Sequence, residues 1–186
     1  MQDDIPDLSQ YTESAEYYSD AYAQALARQD YAGLVHAQWG LIARGSEAVP
    51  YALTLLNHDD YEARAAGASI LGWVGETGTH RDDIIKALIE ASYHELQRPA
   101  PEDGHEREAL DTMIQALSQL GGTNVVSTLG RLIIDPGSDS DRIWAIVESL
   151  DNVIDSSVFA LDEDRGRFLT HFEGRKREVM SNKERI

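Results

Sequence analysis

The chain has 186 residues, a formal net charge of −17 and no cysteine. The length suits one well-packed domain, and the lack of cysteine excludes disulfide bonds, thiolate nucleophiles and cysteine-ligated metals. No apolar run approaches the roughly 20 residues that span a bilayer, and the acidic N-terminal residues are unlike a signal peptide. We therefore expect a cytoplasmic protein.

The charge is distributed unevenly along the chain. Residues 1–164 carry 30 acidic and nine basic side chains, whereas residues 165–186 carry seven basic and three acidic ones. A body this acidic repels nucleic-acid phosphates and attracts basic proteins. We expect a basic protein partner, no nucleic acid and no membrane. The alternative is an acidic surface that only keeps the protein soluble.

Helix signals begin near the N-terminus. Thr12 or Ser14 can cap a first helix that runs to about Arg28, and Asp30 can cap a second helix. The second helix is expected to end at Gly45, because glycine accepts the left-handed backbone of a helix C-cap.

The third and fourth helices are predicted on either side of an acidic turn. Ser46 is predicted to cap the third helix, which places Pro50 in a first turn where its missing N–H costs little. Asp59 or Asp60 is predicted to start the fourth, with Glu62 near its positive end.

Further helices follow in the second half of the chain. Residues 79–82 have the spacing of a capping box, and Asp103 can cap the helix after that one. Thr123 is predicted to start another helix, and the last clear helix spans Asp141 to about Asp151. No segment alternates as a strand does, so the predicted class is all-α.

Residues 47–76, EAVPYALTLLNHDDYEARAAGASILGWVGE, resemble one HEAT-like repeat. The outer helix reads A-V-P-x-A-L-x-x-L-L, and the inner helix begins E-x-R-x-A-A and closes with L-G-x-x-G. The ridge leucine of the inner helix, Leu71, has counterparts at Leu41, Leu117 and Leu150. The intervals are 30, 46 and 33 residues, and the longest contains a proline-rich insertion at residues 98–104.

A unit of this size cannot bury its own apolar face, so it requires neighbours. The resemblance therefore implies an α–α superhelix of about four HEAT-like helix pairs with an N-terminal capping helix. It divides a single domain, residues 1–186, into a cap helix at 12–29, repeats at 30–155, and a C-terminal cap with a basic tail at 156–186.

The tryptophans share one angular position on the predicted inner helices. Trp39, Trp73 and Trp144 lie at offsets of −2, +2 and −6 from their ridge leucines, within an arc of roughly 80° on the opposite side. In HEAT-like units such positions face the concave surface. The candidate partner-binding residues on this face are Trp39, Trp73, Asp111, Gln115, Trp144 and Glu148. The alternative is that the tryptophans only fill gaps between repeats.

Two His-Glu pairs, His94-Glu95 and His105-Glu106, resemble the dyads that hold two irons in HEAT-like hydroxylases. Only the second pair has the required place at the start of an inner helix, and one dyad supplies too few ligands. No serine or histidine pattern associates a nucleophile with a base. We expect no metal, no cofactor and no catalytic residue.

The expected function is a non-catalytic protein-binding scaffold with an acidic concave face. One form of it is an inhibitor or immunity-type protein that covers the cleft of a basic enzyme. The alternatives are a HEAT-like alkylpurine DNA glycosylase, a HEAT-like metal hydroxylase and an adaptor similar to HEAT-like bilin lyase subunits. A glycosylase should carry a basic concave face to hold DNA, whereas this chain is acidic.

Overall fold

The computed structural model describes residues 5–76, 80–98 and 108–121. These residues form α-helices and two short 3₁₀ helices and contain no strand, which confirms the predicted all-α class. The helices are α1 (Ala15–Arg28), α2 (Tyr31–Ala43), α3 (Val49–Leu56), α4 (Tyr61–Glu76), α5 (Arg81–Gln97) and α6 (Glu108–Leu120).

The first two helices begin at the predicted caps. The Ser14 hydroxyl accepts the N–H of Tyr17, and the Asp30 carboxylate accepts the N–H of Gly33. Between the helices, Gln29 adopts a left-handed conformation with φ of 55°. Each cap satisfies a first-turn donor that has no partner within its own helix, so these two starts are confirmed.

The predicted start of α3 is wrong. Gly45 has a positive φ, as expected after α2, but residues Gly45–Ala48 then form a 3₁₀ turn that leads directly into α3. The N–H of Val49 donates to the carbonyl oxygen of Ser46. Ser46 therefore contributes its backbone rather than a capping hydroxyl, and α3 begins without a side-chain cap. Pro50 lies at the start of the helix, as predicted.

Three side chains hold the acidic turn before α4, and one of them is His58, whose Nδ1 accepts the N–H of Asp60 at 3.0 Å. Asp60 Oδ1 accepts the N–H groups of Glu62 at 2.8 Å and Ala63 at 3.2 Å, which confirms Asp60 as the cap. Arg64 is buried and donates to the carbonyl oxygens of His58 at 2.9 Å and Asp59 at 2.6 Å. The guanidinium thus satisfies backbone acceptors in the turn.

The first four helices form two hairpins. Helix α1 packs on α2 and α3 packs on α4, while α2 lies beside α4 and α1 touches α3. The approach of α3 to α4 is very close, since a Cβ at Gly67 would lie 2.5 Å from the backbone nitrogen of Leu56. Buried residues from three helices meet between the hairpins, namely Tyr22, Ala25, Leu34, Ala37, Ala63 and Ala66.

Helices α2 and α4 run in the same direction in register. Leu34 and Ala37 share a core cluster with Ala63 and Ala66, and farther along Gln38 hydrogen-bonds Ser69 and Trp39 contacts Trp73. Residue numbers therefore rise together along both helices. The separations of 31 and 34 residues are close to the 30-residue interval between Leu41 and Leu71. Both leucines are fully buried, as a ridge position requires. Corresponding parts of the two hairpins therefore lie next to each other.

The segment before α1 packs against α2 and is hydrogen-bonded to Arg44 at its end. Tyr11 is buried, its ring lies 5.1 Å from the ring of His36, and its carbonyl oxygen accepts from Arg44 at 2.6 Å. Tyr18 packs against Tyr11 and fills the space above Gly40, where a Cβ would overlap its ring. The N-terminal residues thereby cover one side of the first hairpin.

The described residues divide into two compact units, with the boundary between Ile84 and Ile85. In the second unit, α5 buries Leu88, Ser92 and Glu95, and the Glu95 carboxylate lies 3.4 Å from Arg98 Nε. In α6 the large apolar residues are all buried, namely Leu110, Met113, Ile114, Leu117 and Leu120.

Several sequence predictions lie outside the described residues. They concern the caps Thr79, Asp103 and Thr123, the dyad His105-Glu106, and the helix from Asp141 with its ridge leucine Leu150. The superhelix, the number of repeats and the domain boundaries stay predictions. Within the ranges that the structure covers, no helix is long and apolar enough to cross a membrane.

Candidate functional site

The two tryptophans of the first unit contact each other on the outside of the α2–α4 junction. Their ring centroids are 5.8 Å apart and the planes are inclined by 61°, an edge-to-face arrangement. Aromatic pairs favour this geometry because a positive ring edge meets a negative ring face. Trp39 and Trp73 are each half-buried, so the pair is both packed and accessible.

Helix α4 exposes a single narrow stripe beside this pair. Between Glu62 and Glu76, the residues that are not buried are Glu62, Ala65, Ser69, Trp73 and Glu76. Their spacing of three or four residues confines them to an arc of about 80°. The middle of the stripe consists of small side chains and one tryptophan, and each end carries an exposed carboxylate. The Tyr61 hydroxyl lies 3.5 Å from Glu62 Oε1.

Helix α2 contributes an apolar row next to the stripe. Tyr31 and Val35 are 76% and 39% exposed, and they precede Trp39 by eight and four residues. Residues at this spacing follow one another along one face of a helix. Gln38, on the side toward α4, donates from Nε2 to Ser69 Oγ at 3.0 Å. The row therefore borders the stripe.

We call this region the tryptophan surface, defined by Tyr31, Val35 and Trp39 of α2 and by Ala65, Ser69 and Trp73 of α4. Tyr31 and Val35, two of the large apolar side chains that are exposed in the described residues, lie on this surface next to the Trp39–Trp73 pair. Contiguous accessible apolar groups of this kind are typical of interaction sites, whereas isolated ones are common on any surface.

The charges of the first unit leave its surface strongly acidic. Residues 5–76 hold ten acidic and three basic side chains, and every acidic one except the cap Asp60 is exposed. Two of the basic side chains, Arg44 and Arg64, donate to backbone carbonyl oxygens inside the unit. Among the arginines of residues 5–76, only Arg28 is exposed. The carboxylates thus face solvent largely uncompensated.

Two buried tyrosines of the first unit, Tyr22 and Tyr11, are held in the neutral form. Burial raises the pKa of Tyr22 strongly, and the carboxylates of Asp60 and Glu62 raise it further. The Tyr22 hydroxyl lies 3.4 Å from the carbonyl oxygen of Glu62. Burial also raises the pKa of Tyr11. Both effects follow from the cost of placing a phenolate where water is excluded, and they indicate a structural role.

The structure brings together part of the residue set predicted from the sequence. Trp39 and Trp73 are in contact, while Asp111 and Gln115 lie one turn apart on α6 in the other unit. Asp111 is half-buried and Gln115 is exposed. Trp144 and Glu148 lie outside the described residues.

The sequence prediction missed most of the tryptophan surface, namely Tyr31, Val35, Ala65 and Ser69, together with the flanking Glu62 and Glu76. A helical spacing rule applied outward from Trp39 and Trp73 would have found them, since all lie on the same helix faces as the tryptophans.

No grouping of three or more metal-binding side chains occurs in the described ranges. In the pair His94-Glu95, which lacks the dyad position of HEAT-like hydroxylases, the glutamate is buried and pairs with Arg98. This ion pair accounts for the carboxylate without a metal.

Comparison of the chain with protein-family models, with curated proteins and with solved structures finds no match. The resemblance to HEAT-like repeats therefore rests on the sequence motifs and stays a prediction.

Proposed function

We propose that this chain is a non-catalytic binding protein that engages a basic protein through the tryptophan surface, as an inhibitor or immunity-type protein does. The observation that carries the proposal is the accessible Trp39–Trp73 pair beside the exposed Tyr31 and Val35. Tryptophan is the residue most enriched among side chains that dominate binding energy at interfaces.

The charge distribution supports a basic partner. Exposed carboxylates stand at both ends of the α4 stripe, at Glu62 and Glu76, while Arg44 and Arg64 donate to backbone carbonyl oxygens. Complementary charge raises the rate of encounter and selects the partner, and the apolar centre supplies most of the affinity. A phosphate backbone would meet repulsion over the same area.

The test compares partner binding by the full chain and by variants of the surface. The partner is first captured from the native lysate and identified by mass spectrometry, and its Kd is then measured. Trp39→Ala and Trp73→Ala should each weaken binding by about 2 kcal/mol, roughly 30-fold. Tyr17→Ala removes an aromatic ring that is 53% exposed on α1, outside the tryptophan surface, and should leave the Kd unchanged.

Circular dichroism must show that each variant keeps the helical content of the parent chain. An equal Kd for the parent and both tryptophan variants would move the binding site elsewhere. A partner that is acidic, or a nucleic acid bound at physiological salt, would contradict the proposal directly.

A further inference from the structure

The stripe on α4 has a defined length. Glu62 and Glu76 stand at its two ends, 14 residues apart, and at 1.5 Å per residue their backbones are about 21 Å apart along the helix axis. Three positions lie between them on the same face, Ala65, Ser69 and Trp73. A ligand that pairs with both carboxylates at once must therefore be elongated and carry positive charge near both ends.

The middle of the stripe offers few hydrogen-bonding groups to a ligand. Ser69, the polar side chain at its centre, accepts a hydrogen bond from Gln38 of α2 at 3.0 Å. An extended peptide laid here would place its backbone N–H and C=O groups against alanine and tryptophan without partners, which is costly when water is excluded. An α-helix satisfies its own backbone groups and needs only side-chain contacts.

The sizes of the side chains on this surface also favour a helical ligand. Ala65 and Ser69 are small, and the larger Tyr31 and Val35 rise beside them on α2. Neighbouring helices lie roughly 8–10 Å apart and leave a groove in which the side chains of a third helix can pack. The ring of Trp73 at one end of the small residues can pack against apolar side chains or the face of a guanidinium.

We infer that the basic partner docks as a cationic amphipathic α-helix laid along α4, with basic residues over Glu62 and Glu76 and apolar residues against Trp39 and Trp73. This inference rests on the proposed function and specifies the form of the partner. It requires basic residues about 14 positions apart in the partner helix, with a row of apolar residues between them.

The test uses three synthetic peptides of 18 residues and the full chain. The first peptide is helix-forming, with lysine and arginine near both ends and an apolar row between. The second has the same composition with its basic residues gathered at the centre, and the third is the first with two central prolines. Titrations follow the indole N–H signals in ¹⁵N–¹H spectra, assigned with Trp39→Phe and Trp73→Phe.

The first peptide should bind at least tenfold more tightly than the other two and shift the indole signals of Trp39 and Trp73. The Glu62→Gln/Glu76→Gln double variant should lose most of that preference. The Glu16→Gln/Glu47→Gln variant is the matched control, since it removes the same charge from exposed positions off the stripe, and it should keep the preference.

Equal binding of all three peptides, or binding of none, would overturn the helix inference. Either result would leave the proposed function standing if the captured basic protein still depends on Trp39 and Trp73. Loss of that dependence would remove the proposed function itself, and the helix inference with it.

Discussion

The placement of the tryptophan surface depends on the close contact between α3 and α4 at Gly67. A methyl group there would lie 2.5 Å from the backbone nitrogen of Leu56 and 2.8 Å from the carbonyl oxygen of Ala52. These neighbours belong to the backbone of α3, so no side-chain rotation can relieve the overlap. In Gly67→Ala, α3 and α4 must move apart by several tenths of an ångström.

Two effects of opposite sign decide the stability of Gly67→Ala. Replacing glycine by alanine within a helix stabilises by about 1 kcal/mol. Overpacking against fixed atoms costs about 1–3 kcal/mol, and the upper end applies because the obstacles are backbone atoms. The expected net loss is about 2 kcal/mol.

The assay is urea unfolding, followed by circular dichroism and by tryptophan fluorescence. Ala65→Gly, on the half-exposed stripe of the same helix, is the matched control. It should lose about 1 kcal/mol of unfolding free energy and so measure the propensity effect alone. If Gly67→Ala instead gained as much unfolding free energy as Ala65→Gly loses, the close contact between α3 and α4 would be refuted. That result would also remove the basis for the position of Trp73.

Three further predictions concern the first unit. Leu71→Ala should lower the free energy of unfolding by about 2–5 kcal/mol in urea, because Leu71 is fully buried. Asp60→Ala should cost about 1 kcal/mol by removing the cap of α4, and the neighbouring Asp59→Ala should cost clearly less. Because burial raises the pKa of Tyr22, the stability that comes from its neutral form is complete below about pH 10 and is lost as the pH rises further. Tyr22→Phe should therefore make alkaline unfolding less steep, whereas Tyr17→Phe, at an exposed position, should not. An unchanged alkaline profile in Tyr22→Phe would contradict the buried site.

Local signals were sufficient to predict the helix starts at Ser14, Asp30 and Asp60. In each case the capping oxygen and its N–H partner are within three residues of each other, so no distant contact is needed. Ser46 has the same chemistry, but the 3₁₀ turn at Gly45–Ala48 supplies a carbonyl oxygen to the chain entering α3. The residue types around a serine do not show whether it caps a helix or lies inside such a 3₁₀ turn.

The candidate site could be predicted only in part. The shared angular offset of Trp39 and Trp73 from their ridge leucines placed both tryptophans on equivalent helix faces, because that offset follows from helical periodicity alone. Their mutual contact depends on the register between α2 and α4, which is a tertiary property. The half-burial of Asp111 likewise depends on the packing around α6. An aspartate is usually exposed, so its residue type alone suggested a more accessible side chain than the structure shows.

The excess of acidic over basic side chains determines how the first unit responds to ionic strength. Arg44 and Arg64 donate to backbone carbonyl oxygens, and the three basic side chains of residues 5–76 are too few to balance the ten acidic ones. Added salt screens the repulsion among the exposed carboxylates, since the Debye length falls from about 30 Å at 0.01 M to about 10 Å at 0.1 M. The thermal stability of the protein should therefore rise over this range, while its attraction for a cationic partner falls.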